Sequence, residues 1–167
     1  MNKMIKSALK FAIGAALLAA TASVPVFATT KALTVSAVIQ ELAGPSPRCA
    51  SQFGGTITGS GNSAMLGRVV IIATDCITPQ PPLYNFSQGK MIIVTTSGDQ
   101  IFANYSGQFV PTGDGAKFVF SGATFQITGG SGRYILASGG GTLSGGEDMS
   151  NGSGTAELNG TINWLGW

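Results

Sequence analysis

The sequence predicts an all-β fold, specifically a closed or nearly closed antiparallel barrel of about eight strands. β-branched and aromatic residues recur in short, roughly alternating runs that turn residues separate, and this spacing is typical of a β-barrel or sandwich. No segment after residue 28 shows the 3.6-residue apolar period of an amphipathic helix. All but one of the 25 glycines also lie after residue 28. Because glycines inside strands permit the bends that close a small sheet, we favour a barrel over a sandwich.

The first 28 residues predict a signal peptide that precedes the barrel. Three lysines lie in the first ten residues, the uncharged apolar run 11–22 follows them, and Ala28 completes a small-residue cleavage site. The apolar run is shorter than the roughly 20 residues of a membrane-spanning helix. We therefore expect cleavage after Ala28, with an uncleaved anchor as the alternative. The expected product is one β-barrel domain, residues 29–167, without a transmembrane span and exported to the periplasm, cell envelope or medium.

Export changes the interpretation of the only two cysteines, Cys49 and Cys76. In an oxidising compartment an even cysteine count predicts a disulfide. This bond would close a loop of 27 residue steps and contribute roughly 3–4 kcal/mol on the chain-entropy model. A redox-active or metal-binding pair is the alternative, but the chain has neither a Cys-x-x-Cys spacing nor any histidine.

The first three strands are predicted from β-branched runs that glycine or proline ends. Residues 34–40 alternate roughly and stop at Gly44-Pro45-Ser46-Pro47, because proline cannot extend a central ladder. Residues 53–59 form the second run. Residues 66–74 are mostly apolar, as in a strand that is buried on both faces. The prolines between residues 79 and 82 then predict a stiff connection.

The middle of the chain predicts consecutive hairpins. Residues 91–96 and 100–105 are expected to pair across Gly98-Asp99, a sequence that suits a tight hairpin turn. Residues 117–128 alternate well and form the next strand. The side chains that we expect to face inward and give the barrel an apolar lining are Val94, Ile101, Phe118 and Phe120.

The last two strands are predicted on either side of Asn151-Gly152, the strongest short hairpin signal in the chain. The glycine-rich segment 129–132 predicts a tight turn rather than a phosphate-binding loop, because another strand follows it. That strand, residues 134–143, is weakened by three consecutive glycines at 139–141. Residues 156–165 alternate apolar with polar side chains and form the final strand.

Charge and composition exclude several classes of function. Three of the nine basic residues lie in the signal segment, so six basic and seven acidic residues remain. A nearly neutral domain with scattered cations lacks the electrostatic footprint of a nucleic-acid-binding protein. The missing histidines exclude Ser–His–Asp and Cys–His catalysis and every histidine-ligated metal site. Glu147 and Asp148 lack the repeated oxygen spacing of a calcium motif, and we expect them in a solvated loop. We expect no metal, no cofactor and no identifiable catalytic residue.

Asp75 is the carboxylate most suggestive of a site, because it follows an apolar strand and adjoins Cys76. It could be a general base or a pocket acid. A structural ion pair with Arg68 or Arg133, or an exposed strand end, is the alternative. Aromatic side chains could line the mouth of the barrel, although they more often pack in its core or rim. The candidate pocket residues are Asp75, Tyr105, Phe118, Phe120, Arg133, Tyr134 and Trp164.

Several segments carry a family resemblance by their order and spacing. They are Gly54-Gly55-Thr56-Ile57-Thr58-Gly59-Ser60-Gly61, Leu66-Gly67 leading to Asp75-Cys76, Ser97-Gly98-Asp99, Tyr105-Ser106-Gly107, and Ile127-Thr128-Gly129-Gly130-Ser131-Gly132-Arg133-Tyr134 continued by Gly139-Gly140-Gly141-Thr142-Leu143-Ser144-Gly145. Over roughly residues 50–162 the chain resembles bacterial exported proteins with an allene oxide cyclase-like barrel, whose plant relatives are the allene oxide cyclases and the dirigent proteins.

The resemblance implies an eight-stranded, calycin-like barrel. The plant cyclases place a carboxylate and a bound water inside the barrel, and dirigent proteins steer radical coupling with acidic pocket residues. No residue of this chain matches those groups one by one, so the resemblance implies a fold more than a function.

Three functions remain open from the sequence. The first is a non-enzymatic exported barrel that binds a small apolar or amphipathic molecule, or a surface partner, since eight strands enclose room for side chains or one small ligand. The second is a cyclase- or dirigent-like protein with Asp75, Asp99 or Glu41 in its pocket. The third is a structural or adhesin-type envelope subunit that uses an exposed strand edge. The sequence leaves the oligomeric state open, and it favours a non-enzymatic role.

Overall fold

Eight antiparallel strands close into a barrel in which each strand pairs with its neighbours in sequence and the last pairs with the first. This computed structural model describes residues 28–165, so residues 1–27 of the predicted signal peptide lie outside the described residues. The closed eight-stranded barrel confirms the predicted fold class. The strands are β1 (Ala28–Pro45), β2 (Phe53–Ser63), β3 (Gly67–Gln80), β4 (Leu83–Thr95), β5 (Gln100–Pro111), β6 (Lys117–Ser131), β7 (Ser138–Asp148) and β8 (Ser153–Leu165).

The long strand β1 closes the barrel. Its residues Ala28–Gln40 pair with β8, and its residues Ser36–Pro45 pair with β2. The two ranges overlap, so the middle of β1 is hydrogen-bonded on both sides. A strand shared in this way lets the sheet return to its own first edge, which removes the unpaired edges of an open sheet.

Two features of the chain differ from the sequence prediction. The stiff connection predicted at the prolines is only two residues long, Pro81 and Pro82, because β3 continues to Gln80 and β4 begins at Leu83. The β2–β3 pairing ends at Gly54 and Cys76, so the last residues of β3 have no partner on that side and proline is tolerated there. Tyr134 does not begin a strand but ends a 3₁₀ helix, Gly132–Tyr134.

The glycines at 139–141 lie within β7 rather than interrupting it. Gly141 pairs with Gly160 of β8. A Cβ atom on Gly141 would overlap the carbonyl oxygen of Asn159, and one on Gly160 would overlap that of Gly140. Glycine therefore permits a close approach of β7 and β8 here. For this reason residues 139–141, which look like an interruption in the sequence, belong to a continuous strand.

Alternate residues of the strands fill the barrel with aliphatic side chains. Ile101 is inside the barrel, as predicted, but Val94 is half-buried on the outer face and its neighbour Ile93 faces inward. The prediction for Val94 was wrong because both faces of β4 carry apolar residues, so that alternation did not indicate which face is inside. The largest side chains with almost no exposure are Leu33, Val35, Ile93, Ile101, Leu158 and Ile162.

The predicted disulfide between Cys49 and Cys76 is present. It ties the loop between β1 and β2 to the end of β3, and both cysteines are buried. We call this end of the barrel the disulfide end; the turns after β3, β5 and β7 lie there as well, as the strand order dictates. No helix within residues 28–165 has the length and apolarity to span a membrane.

Candidate functional site

Three carboxyl groups lie buried together at the disulfide end. Glu41 of β1, Asp75 of β3 and Glu147 of β7 are 6%, 2% and 7% exposed. Each interacts electrostatically with at least one of the others. Acidic residues are rarely buried to this degree without a partner, because removing a charge from water is costly. We call these three residues the acid cluster.

The absence of a side chain at Gly55 makes room for the acid cluster. Gly55 pairs with Asp75 across the β2–β3 ladder. A Cβ atom at Gly55 would overlap Oε1 of Glu41 and lie 3.0 Å from Oδ1 of Asp75. The two carboxyls from β1 and β3 therefore converge above the backbone of the strand between them, where any other residue would displace them.

Asp75 is held by two hydrogen-bond donors. The Tyr105 hydroxyl donates to Oδ2 at 2.9 Å, and the Gly55 N–H donates to Oδ1 at 3.2 Å. Burial raises the pKa of Asp75, while these two hydrogen bonds and the charge of Arg48 oppose that rise. Burial and the neighbouring Asp75 raise the pKa of the Tyr105 phenol well above its ordinary value. Tyr105 therefore stays protonated and keeps its role as a donor.

Glu41 and Glu147 form an acid pair. Their carboxyl groups interact electrostatically, and two neighbouring carboxylates repel each other unless one keeps a proton. Oε1 of Glu41 and Oε2 of Glu147 meet no donor within the described residues. Burial, followed by the interaction with Glu147, raises the pKa of Glu41 to about 10. Burial also raises the pKa of Glu147. At neutral pH Glu41 is therefore the protonated member.

A cavity of about 40 Å³ adjoins the acid cluster. This volume holds about two or three water molecules, so most of the interior is filled by side chains. Three phenylalanines pack against one another beside it, with ring centroids 4.8–5.7 Å apart. The lining residues are Ile39, Glu41, Ile57, Ile71, Ala73, Asp75, Phe86, Met91, Tyr105, Phe109, Phe120, Leu143, Ala156 and Leu158.

The barrel wall beside the cavity has a break in its pairing. The β6–β7 ladder is interrupted between Val119 and Thr124, and Gly122 there has a positive φ of 56°. We call this interruption the β6–β7 gap. Phe120 and Leu143, on its two sides, both line the cavity. Because the β6–β7 ladder pairs are missing here, opening this part of the wall breaks no hydrogen bonds between these two strands.

Three of the seven candidate pocket residues, Asp75, Tyr105 and Phe120, line the cavity together. Phe118 lies at the same end, where its ring packs against Tyr84 at 5.7 Å. The structure places the other three, Arg133, Tyr134 and Trp164, at the opposite end of the barrel.

At that opposite end, Tyr134 packs against Trp164 with ring centroids 6.0 Å apart. Arg133 Nε forms an ion pair with Asp99 Oδ2 at 2.9 Å. The suggested partnership of Asp75 with Arg133 was therefore wrong, and so was the one with Arg68, because Arg68 is exposed near the start of β3. Asp99, one of three carboxylates considered for a pocket, is not in it; Glu41 and Asp75 are.

Glu147 is the member of the site that sequence reasoning missed. It was predicted to lie in a solvated loop with Asp148, yet β7 continues to Asp148 and Glu147 is buried. The signal that could have found it is weak. Counting by twos from the buried Leu143 leads to Glu147, but the glycines at 145 and 146 hide this alternation.

No group of three or more acidic or cysteine side chains within residues 28–165 is arranged to hold a metal ion. Comparison with known proteins adds no identity to this geometry. No protein-family model matches the chain, and no curated protein matches it. The site must therefore be interpreted from its own chemistry.

Removing the Tyr105 hydroxyl should destabilise the protein. Tyr105→Phe leaves Oδ2 of Asp75 buried without its donor, so we expect a loss of about 1–3 kcal/mol in the free energy of unfolding at pH 7. Urea denaturation measures it. Tyr84→Phe, at the same end of the barrel but half-buried, is the matched control. Equal losses for the two variants would show that the hydrogen bond contributes nothing.

Proposed function

We propose that this is an exported, non-enzymatic barrel that binds a small apolar or amphipathic molecule at its disulfide end. The observation that carries the proposal is the convergence of Glu41, Asp75 and Tyr105 on an otherwise apolar cavity. Binding sites for small molecules are typically apolar concavities with a few polar groups that fix orientation. The resemblance to allene oxide cyclase-like barrels agrees with this location, because the plant cyclases also use the barrel interior.

The size of the cavity constrains how a ligand binds. About 40 Å³ accommodates only the polar head of a ligand, so the rest of the molecule must displace a side chain. Phe120 is suited to this role because it is half-buried, lines the cavity and lies in the β6–β7 gap. We propose that Phe120 moves outward when the ligand enters.

The proposed export is supported by the Cys49–Cys76 disulfide, since disulfides persist mainly in oxidising compartments. A structural role that depends on an exposed strand edge has less support. Within residues 28–165 every strand has a hydrogen-bonded neighbour on both sides. A surface partner could still bind to the outer face.

An acid–base function is the second candidate, and one specific observation favours it. Glu41 carries a proton at neutral pH, whereas both oxygens of Asp75 accept hydrogen bonds. Two carboxyls in different protonation states within one cavity can donate and accept a proton. A cyclase-like protein would need this arrangement, and it would release a changed molecule rather than hold an unchanged one.

Native mass spectrometry of the protein purified from its own host tests ligand binding. We expect a bound non-protein mass on the wild type and its loss from Phe120→Trp, which fills the cavity. Phe118→Trp, at the same end but outside the lining, is the matched control and should retain the mass. A wild type without any bound mass, or equal retention by both variants, would contradict the proposed site.

A further inference from the structure

The acid cluster has no buried cation to balance it. Every lysine and arginine within residues 28–165 is exposed. The two ion pairs among these residues, Lys117–Asp114 and Arg133–Asp99, both lie away from the cavity. Arg48 is the cation whose charge reaches Asp75, but its guanidinium donates to the carbonyl oxygen of Gln88 at 3.4 Å.

The hydrogen-bond partners of the cluster show which of its oxygens lack a donor. Both oxygens of Asp75 accept hydrogen bonds, as a carboxylate does. Glu41 and Glu147 each have a buried oxygen that meets no donor in the described part of the chain. The unpartnered Oε1 belongs to a Glu41 side chain that is 6% exposed and lines the cavity. Uncompensated acceptors in an apolar interior favour a ligand that brings donors and positive charge.

The aromatic wall favours the same kind of ligand. The rings of Phe86, Phe109, Phe120 and Tyr105 surround one side of the cavity, and Phe86 lies 6.0 Å from Tyr105 between ring centroids. Aromatic faces attract a cation that lies within about 6 Å. A carboxylate or sulfate head would meet these ring faces and the carboxylate of Asp75, and both would repel it.

We infer that the cavity selects a primary alkylammonium, with its head group against Oε1 of Glu41 and its apolar chain leaving past Phe120. The inference rests on the proposed ligand-binding function and names the chemical class of the ligand. An ammonium group offers three N–H donors in a volume that suits a cavity of about 40 Å³. When it binds, Glu41 releases its proton to solvent, so the complex gains a cation and loses a proton.

Three probes of equal chain length test this selectivity: n-hexylammonium, 1-hexanol and hexanoate. Isothermal titration calorimetry at pH 7 should show n-hexylammonium binding at least tenfold more tightly than 1-hexanol, and no binding of hexanoate.

Because one proton leaves, the affinity for n-hexylammonium should rise by up to about tenfold per pH unit between pH 6 and 8. The titratable groups that line the cavity are Glu41, Asp75 and Tyr105. Glu147 acts on Glu41 from outside the lining, and Arg48 acts from the loop after β1.

A single isosteric substitution identifies the carboxyl responsible. Glu41→Gln keeps the shape but cannot become negatively charged, so n-hexylammonium should lose its advantage and its pH dependence while 1-hexanol binds as before. Glu157→Gln on the exposed face of β8 should change nothing. If 1-hexanol or hexanoate binds the wild type as tightly as n-hexylammonium, the selectivity is wrong and the ligand-binding function stands. If none of the three binds, both are wrong.

Discussion

The protein should become less stable as the pH rises from 5 to 8, opposite to the usual effect of titrating acidic residues. The pKa of Glu41 is about 10 in the folded protein, against 4.5 for an ordinary solvated glutamate side chain. The folded protein therefore binds a proton that the unfolded chain has released. The stability that this bound proton gives to the folded state is fully present below pH 4.5 and is lost as the pH rises toward 10. We expect the free energy of unfolding to fall by roughly 2–4 kcal/mol between pH 5 and 8.

Thermal unfolding across this pH range measures the effect. Glu41→Gln should flatten the profile and raise the melting temperature at pH 8 with little change at pH 5, because the amide carries no charge to bury. Glu157→Gln, exposed on β8, should reproduce the wild-type slope. Below about pH 4 the trend should reverse, since hydrogen bonds lower the pKa values of Asp99 and Asp148. A wild-type stability that is constant or rising from pH 5 to 8 would contradict the buried acid cluster.

Removing the disulfide should produce the second large effect. The Cys49→Ala/Cys76→Ala variant releases a loop of 27 residue steps, and we expect the free energy of unfolding to fall by about 3–4 kcal/mol. Both cysteines are replaced because a single substitution would leave the other one as a buried free thiol. Denaturant unfolding at pH 5, where the acid cluster is most stable, gives the cleanest measurement.

The wild type treated with a reductant is the control for this variant, because it breaks the same bond without a substitution. The two samples should lose similar stability. Cys76 directly follows Asp75 in β3, so we also expect the double variant to weaken ligand binding at the disulfide end. A loss below about 1 kcal/mol would mean that the folded chain holds this loop without the bond.

The fold was predictable because alternation and turn residues are local signals. Asn151-Gly152 predicts the last hairpin, and β7 and β8 are joined there as expected. The limits of β3 and β4 were not predictable in the same way. Proline at 79 normally argues against a strand, because it lacks the N–H that a neighbouring strand would need. Whether a neighbouring strand extends as far as residue 79 is decided by the closed sheet and cannot be read from the local sequence.

The candidate site was only partly predictable for a similar reason. Asp75, Asp99 and Glu41 were the carboxylates considered for a pocket, and two of them, Asp75 and Glu41, line the cavity. Glu147 and the role of Gly55 depend on register between strands that are distant in sequence. The wrong prediction for Arg133 illustrates the same limit. An arginine is a suitable partner for a buried carboxylate, but the turn that carries Arg133 lies at the other end of the barrel and brings it to Asp99.

The pairing of β1 with β8 has a consequence for how the molecule is made. Thirteen residues of β1, Ala28–Gln40, pair with Ser153–Leu165, which are synthesised much later. The barrel cannot close on a nascent chain until β8 has left the ribosome, and such distant contacts slow folding. Until β1 and β8 pair, each has an unpaired edge that can pair with another chain and lead to aggregation. The export proposed above would keep the chain unfolded until it has crossed the membrane, so the β1–β8 pairing and the disulfide would both form afterwards.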